Sequence, residues 1–162
     1  MKKNLLFLLL ISFTNITLSQ ENKLNKLVSI GVSQPILNNG TGGHVGFNSS
    51  FQLTKTFSLE GQLSHIYTNI DSYFWSGDYG QSNDINLLAG GRIYLSPTDK
   101  KNRFFINLLL GLNYEKEDRL GRDVKEAYRM GFSVGGFYRF KKLNLGLTYD
   151  SHHMVLKVGY SF

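Results

Sequence analysis

From Val28 to Phe162 the chain alternates apolar residues with small or polar ones at a period of two. No stretch of helix length after Gln20 carries a 3.6-residue apolar stripe. An extended strand turns successive side chains to opposite faces, so this alternation predicts strands with two unlike surfaces. Met154, Leu156, Val158, Tyr160 and Phe162 share one face, and Val155, Lys157, Gly159 and Ser161 the other. Eight such segments follow one another: Val28 to Ile36, Val45 to Leu53, Phe57 to Tyr67, Ile85 to Leu95, Phe104 to Tyr114, Tyr128 to Phe140, Leu143 to Asp150 and Met154 to Phe162.

The connections are short at one end and longer at the other. Thr54–Thr56, Pro97–Asn102 and Lys141–Lys142 read as compact turns, whereas residues 70–82 and 115–125 read as long loops. Asn38 to Gly43 reads as the link between the first two strands, its glycines belonging to a hairpin turn because no helix follows them. An even number of antiparallel strands joined in this way predicts an all-β, eight-stranded up-and-down transmembrane β-barrel.

Ahead of the strands stands a different segment. Met1-Lys2-Lys3-Asn4 is basic, Leu5 to Phe13 is apolar, and Thr14 to Gln20 is polar with small residues at Thr17 and Ser19. That is the pattern of a secretory signal peptide over residues 1–19, too short to be a spanning helix of ~20 apolar residues. The barrel domain is then residues 20–162, and loss of Lys2 and Lys3 lowers the net charge of +6 by two. The chain has no cysteine, which excludes disulfides, thiolate metal sites and a cysteine nucleophile.

Alternation alone fits two barrels. In a soluble, lipocalin-like barrel the apolar face lines a ligand cavity, and in a membrane barrel it faces lipid. The polar face here is built from residues such as Gly46, Asn48, Ser50 and Gln52 rather than from Lys and Glu. No charge falls on the apolar face, where lipid exposure would cost ~2–4 kcal/mol at mid-depth. Phe57 and Tyr67, Phe104 and Tyr114, and Tyr128 and Tyr138 are each ten residues apart. At ~3.3 Å per residue and a tilt near 40° this interval spans roughly 25 Å, the height of a lipid-facing band. These features favour the membrane barrel.

The ending Val155-Leu156-Lys157-Val158-Gly159-Tyr160-Ser161-Phe162 resembles the C-terminal signal of bacterial outer-membrane barrels. The chain is similar to the small barrel superfamily that includes OmpA-like, OmpX-like and PorT-like proteins. The resemblance implies an outer-membrane location with both termini periplasmic. It also implies recognition of Val158, Tyr160 and Phe162 by the barrel-assembly machinery, and it leaves activity open because such barrels share architecture rather than function.

Eight strands enclose a lumen that side chains can fill. Glu60 and Arg92 face inward at similar heights and are expected to form an ion pair there; Arg129, Arg139, Lys157, Asp84 and Asp150 are further inward charges. In the loop after the third strand, Tyr73, Phe74, Trp75 and Tyr79 are candidate anchors for an extracellular ligand or a membrane complex. His44, His65, His152 and His153 all map to the loop end, as surface or rim residues without metal-ligand spacing. Asp150-Ser151-His152 are consecutive and cannot form a triad among themselves. No catalytic residue, metal or cofactor is therefore expected. A lipid-A-modifying enzyme remains an alternative, with His65 the one polar residue of interest on the lipid face. The basic turns mark outer-membrane lipids as a partner, and an exported barrel offers no groove for nucleic acid.

Overall fold

The computed structural model describes residues 24–36, 39–71, 79–96, 102–119 and 124–162. The signal-peptide reading of residues 1–19 lies outside them. The strands are β1 (Leu24–Pro35), β2 (Asn39–Gln52), β3 (Phe57–Asp71), β4 (Tyr79–Tyr94), β5 (Asn102–Arg119), β6 (Lys125–Phe140), β7 (Leu143–Asp150) and β8 (His153–Ser161). Each pairs antiparallel with the next, and β1 pairs with β8 from Leu27↔Ser161 to Pro35↔His153, closing the barrel. Among the described residues there is no helix.

Two tight hairpins carry β7. Lys141 (φ 56°) follows Phe140, whose partner is Leu143, and Ser151 (φ 53°) follows Asp150, whose partner is His153. A left-handed first turn residue bends the chain in the sense that matches strand twist. The β2–β3 turn is held differently. Thr54 Oγ1 accepts the N–H groups of Thr56 and Phe57 at 3.2 and 3.0 Å.

The long loops are shorter than their sequence suggests. Residues 70–71, 79–82, 115–119 and 125 are strand, because β3 runs to Asp71, β4 starts at Tyr79, β5 runs to Arg119 and β6 starts at Lys125. These segments lack an apolar alternation because they rise above the lipid-facing band, where backbone pairing alone keeps them extended. Gly40 to Gly43 is likewise strand rather than turn, paired with Tyr67 to Ile70. A Cβ at Gly42 would strike the Tyr67 carbonyl oxygen. These glycines permit a close strand approach that reads, in isolation, as a turn signal.

The apolar face is the outer one. Ile30, Val45, Leu63, Leu87, Leu110, Leu147 and Leu156 each leave more than half of their surface exposed, and Val134 completes a band with one residue from every strand. The ten-residue aromatic intervals of β5 and β6 become cross-strand pairs at its two margins, whereas Phe57 and Tyr67 lie opposite Ile93 and Asn83. Phe104 lies opposite Tyr138 with ring centroids 4.7 Å apart, and Tyr114 opposite Tyr128 at 5.1 Å.

Inside, Phe105 stacks on Phe137 at 4.9 Å and meets Tyr94 at 5.6 Å, an aromatic plug near the turn end. Gly146 faces the Phe137 ring and has no room for a Cβ. On the outer face, Leu110→Arg should destabilise the barrel folded in phosphatidylcholine vesicles by about 2–4 kcal/mol, measured by denaturant titration. A barrel whose outer face met water would show no such loss.

Candidate functional site

The lumen gathers charges from distant parts of the chain. Glu60 on β3 and Arg92 on β4 are both buried, and the register sets them diagonally across the two strands, Glu60 opposite Gly90 and Arg92 opposite Ser58. Arg92 donates from Nε to Glu60 Oε2 at 2.9 Å and from Nη2 to Oε1 at 2.7 Å, a two-pronged ion pair. Asn48 Nδ2 donates to the same carboxylate at 2.7 Å, and the guanidinium carbon sits 4.3 Å from the Phe105 ring centroid. A planar guanidinium suits both the paired oxygens and the aromatic face. The expected Glu60–Arg92 contact is thus present.

A second charged centre was less legible. Lys157 Nζ donates to Asp150 Oδ2 at 2.6 Å, and Ser133 Oγ donates to Oδ1. Asp150 and Lys157 both keep the inward parity of their strands, so alternation marks them as lumen residues without revealing that they meet. Higher up, Ser82 Oγ donates to Asp84 at 3.0 Å, and His153 Nε2 lies 3.8 Å from the same carboxylate.

His44 and His153 are buried in the lumen, not placed on the surface or rim as expected. Their strand parity carries them inward below the point where the wall ends. His65 does stay on the outer face, beneath Tyr67, with Nε2 3.3 Å from Asn83 Oδ1. Asp150, Ser151 and His152 do not act together. Asp150 is engaged by Lys157 and Ser133, and Ser151 Oγ donates to Asn86 at 3.3 Å.

The other region is the loop end. β2 to β6 project there, whereas the β6–β7 ladder stops at Ser133↔Asp150 and the β5–β6 ladder continues to Glu117↔Lys125. Arg129, expected inside the lumen, keeps inward parity but stands above the end of β7. It is more than half exposed and pairs with Glu115 at 3.2 Å. Arg139 is half-buried at the opposite mouth, where its Nε donates to the Lys141 carbonyl at 2.9 Å.

Arg129, Glu115, Glu117, Arg119, His152 and His153 line a cavity of about 220 Å³ at this rim. Its charges are already matched, since Arg119 also holds Glu117 at 2.6 Å. Burial, followed by the charge of Asp84, pushes the Glu115 carboxyl up. Beyond the Tyr114–Tyr128 pair, the hydrogen bond from Lys116 holds the Glu126 carboxyl below its ordinary range.

Of the loop anchors, Tyr73, Phe74 and Trp75 lie outside the described residues, and Tyr79 opens β4 opposite Asp71. Val158, Tyr160 and Phe162 lie along the outer face of the terminal segment.

This is the architecture of a small, closed, eight-stranded barrel, and solved structures share that fold. Ail, the attachment invasion locus protein of Yersinia pestis, matches with a TM-score of 0.58 at 15% identity, over 88% of this chain and 100% of that one. Neisserial surface protein A (NspA) matches with a TM-score of 0.58 at 13% identity, over 88% and 98%. Ail in complex with the heparin analogue sucrose octasulfate matches at 0.54 and 12% identity, over 86% and 99%. The chain therefore has the fold of the small outer-membrane β-barrels. No protein-family model matches it, and no curated protein matches it in sequence.

Removing one member of a buried ion pair leaves the other charge uncompensated. Arg92→Ala should cost about 3–5 kcal/mol in denaturant titrations of the vesicle-embedded barrel. The double variant Glu60→Gln/Arg92→Met should recover much of that loss. Equal losses in both variants would show that the pair's charges are not what matters.

Proposed function

We propose that the protein is a non-catalytic, non-conducting barrel of the outer membrane whose projecting rim recognises an extended polypeptide at the cell surface. One observation carries the recognition reading: the upper part of β6 has an open edge. From Lys125 to Gly131 it pairs with β5, and among the described residues no strand pairs with its other side.

Phe132 accepts a bond from the Ser151 N–H at 2.8 Å, which fixes the parity. In an antiparallel ladder, residues of one parity direct both backbone groups to the same neighbour. Glu126, Tyr128 and Met130 share the parity of Phe132, so their N–H and C=O groups point to the open side. The Tyr128 side chain at the margin is correspondingly bare, at 81% exposed. An extended chain added here would gain main-chain hydrogen bonds and apolar contacts together.

Tyr73, Phe74, Trp75 and Tyr79 would add aromatic anchors from the β3–β4 connection. A polyanion such as the heparin analogue bound by Ail fits this rim less well. Between residues 115 and 129 five acidic side chains offset five basic ones, and Lys116, Arg119 and Arg129 are each paired with a glutamate.

The β2–β3 and β6–β7 turns, the start of β1 and the end of β8 share one end of the barrel, which we assign to the periplasm. Val158, Tyr160 and Phe162 then present the outward aromatic pattern that would be read by the assembly machinery. The absence of cysteine makes the orientation simple to test. In intact cells a membrane-impermeant maleimide should label Lys125→Cys, and should label Lys55→Cys only after permeabilisation; the reverse would invert the barrel.

Glu126→Pro, above the aromatic margin, removes an N–H that no strand uses and blocks the edge. The variant should fold normally, and cells carrying it should bind immobilised β-casein, an extended polypeptide, at least fivefold less than cells with the parent barrel. Unchanged retention would remove the edge from the recognition reading.

A further inference from the structure

At the turn end the charge is one-sided. Lys26, Lys55, Arg103, Arg139, Lys141 and Lys142 lie there, and no Asp or Glu side chain does among the described residues of that end. The nearest carboxylate deeper in the lumen, Glu60, is taken by Arg92. The rim at the other end is mixed in sign, so the asymmetry belongs to this end and not to the chain's overall basicity.

The β6–β7 turn concentrates it. Lys141 Nζ sits 5.4 Å from the Phe140 ring centroid and Lys142 Nζ 5.6 Å from that of Tyr160. Both rings belong to the lower aromatic margin of the lipid-facing band, and both are about half exposed on the outer face. The two ammonium groups are therefore drawn back over the apolar boundary, with their stems along the rings. Arg139 fixes the turn from within by its bond to the Lys141 carbonyl.

We propose that this turn binds the phosphate of an anionic phospholipid in the adjoining leaflet, the acyl chains lying along Leu143, Leu145 and Tyr160. The inference rests on the membrane reading above and adds a specific lipid class and a specific turn to it. Two ammonium groups at a ring of aromatics match one phosphate above an apolar surface, and each basic residue near a membrane surface contributes severalfold to the attraction of anionic lipid.

The chain's single tryptophan, Trp75, is replaced by Phe, and Leu143→Trp supplies a reporter beside the turn. The variant barrel is placed in phosphatidylcholine vesicles containing brominated phosphatidylglycerol or brominated phosphatidylcholine, and quenching gives the relative association of the two lipids. Phosphatidylglycerol should be preferred about tenfold. The preference should fall towards unity in Lys141→Gln/Lys142→Gln and persist in Lys55→Gln, which removes a cation from another turn. Equal association of both lipids with the lysines in place would overturn the inference, as would a preference that survives the double substitution. In either case, quenching by brominated phosphatidylcholine would still uphold the membrane reading. Absence of quenching by either lipid would overturn both.

Discussion

Closure of the backbone ladder is the constraint from which the rest follows. In hydrocarbon an unpaired N–H or C=O has no water to turn to, and a sheet survives there only when its first and last strands meet. Here β1 and β8 pair over nine residues, from Leu27 to Pro35. With the backbone satisfied within the wall, the pleat sends alternate side chains outward and inward. Ile30 and Leu87 can then face lipid while Asn48 and Asp150 face the lumen.

Closure on eight strands leaves a lumen narrow enough for side chains to fill, and their polarity then has to be matched inside it. The Glu60–Arg92 and Asp150–Lys157 pairs meet this requirement by joining carboxylates to cations carried on other strands. Tyr94, Phe105 and Phe137 close the turn end without charge. These elements brace the wall from within. What the barrel presents to other molecules is its two ends, one mixed in charge with an open strand edge, the other basic and ringed with aromatics.

Much of this is legible in the residues because it repeats. The period of two and the ten-residue aromatic interval are set by strand rise and band height, so Phe104–Tyr138 and Tyr114–Tyr128 appear as pairs where the spacing places them. The rim is not legible by the same means. Glu115 to Arg119 carry no apolar alternation, since neither face meets lipid, yet they remain strand because β4 pairs with all of them and β6 with Glu115 to Glu117. Gly40 to Gly43 mislead for a related reason, since glycine marks a close strand approach as readily as a turn. Parity placed Asp150 and Lys157 on the lumen side, but their meeting depends on the β7–β8 register. The burial of His44 and His153 depends on where the wall ends, which no local pattern records.

Every reading here depends on a wall that is closed and faces lipid. Electrophoresis of the outer-membrane fraction in SDS, cold and after boiling, addresses that condition directly. A barrel whose first and last strands are paired resists SDS when cold, and its mobility should shift on heating as the ladder opens. Recovery of the protein in the soluble fraction, with one mobility at both temperatures, would contradict the account.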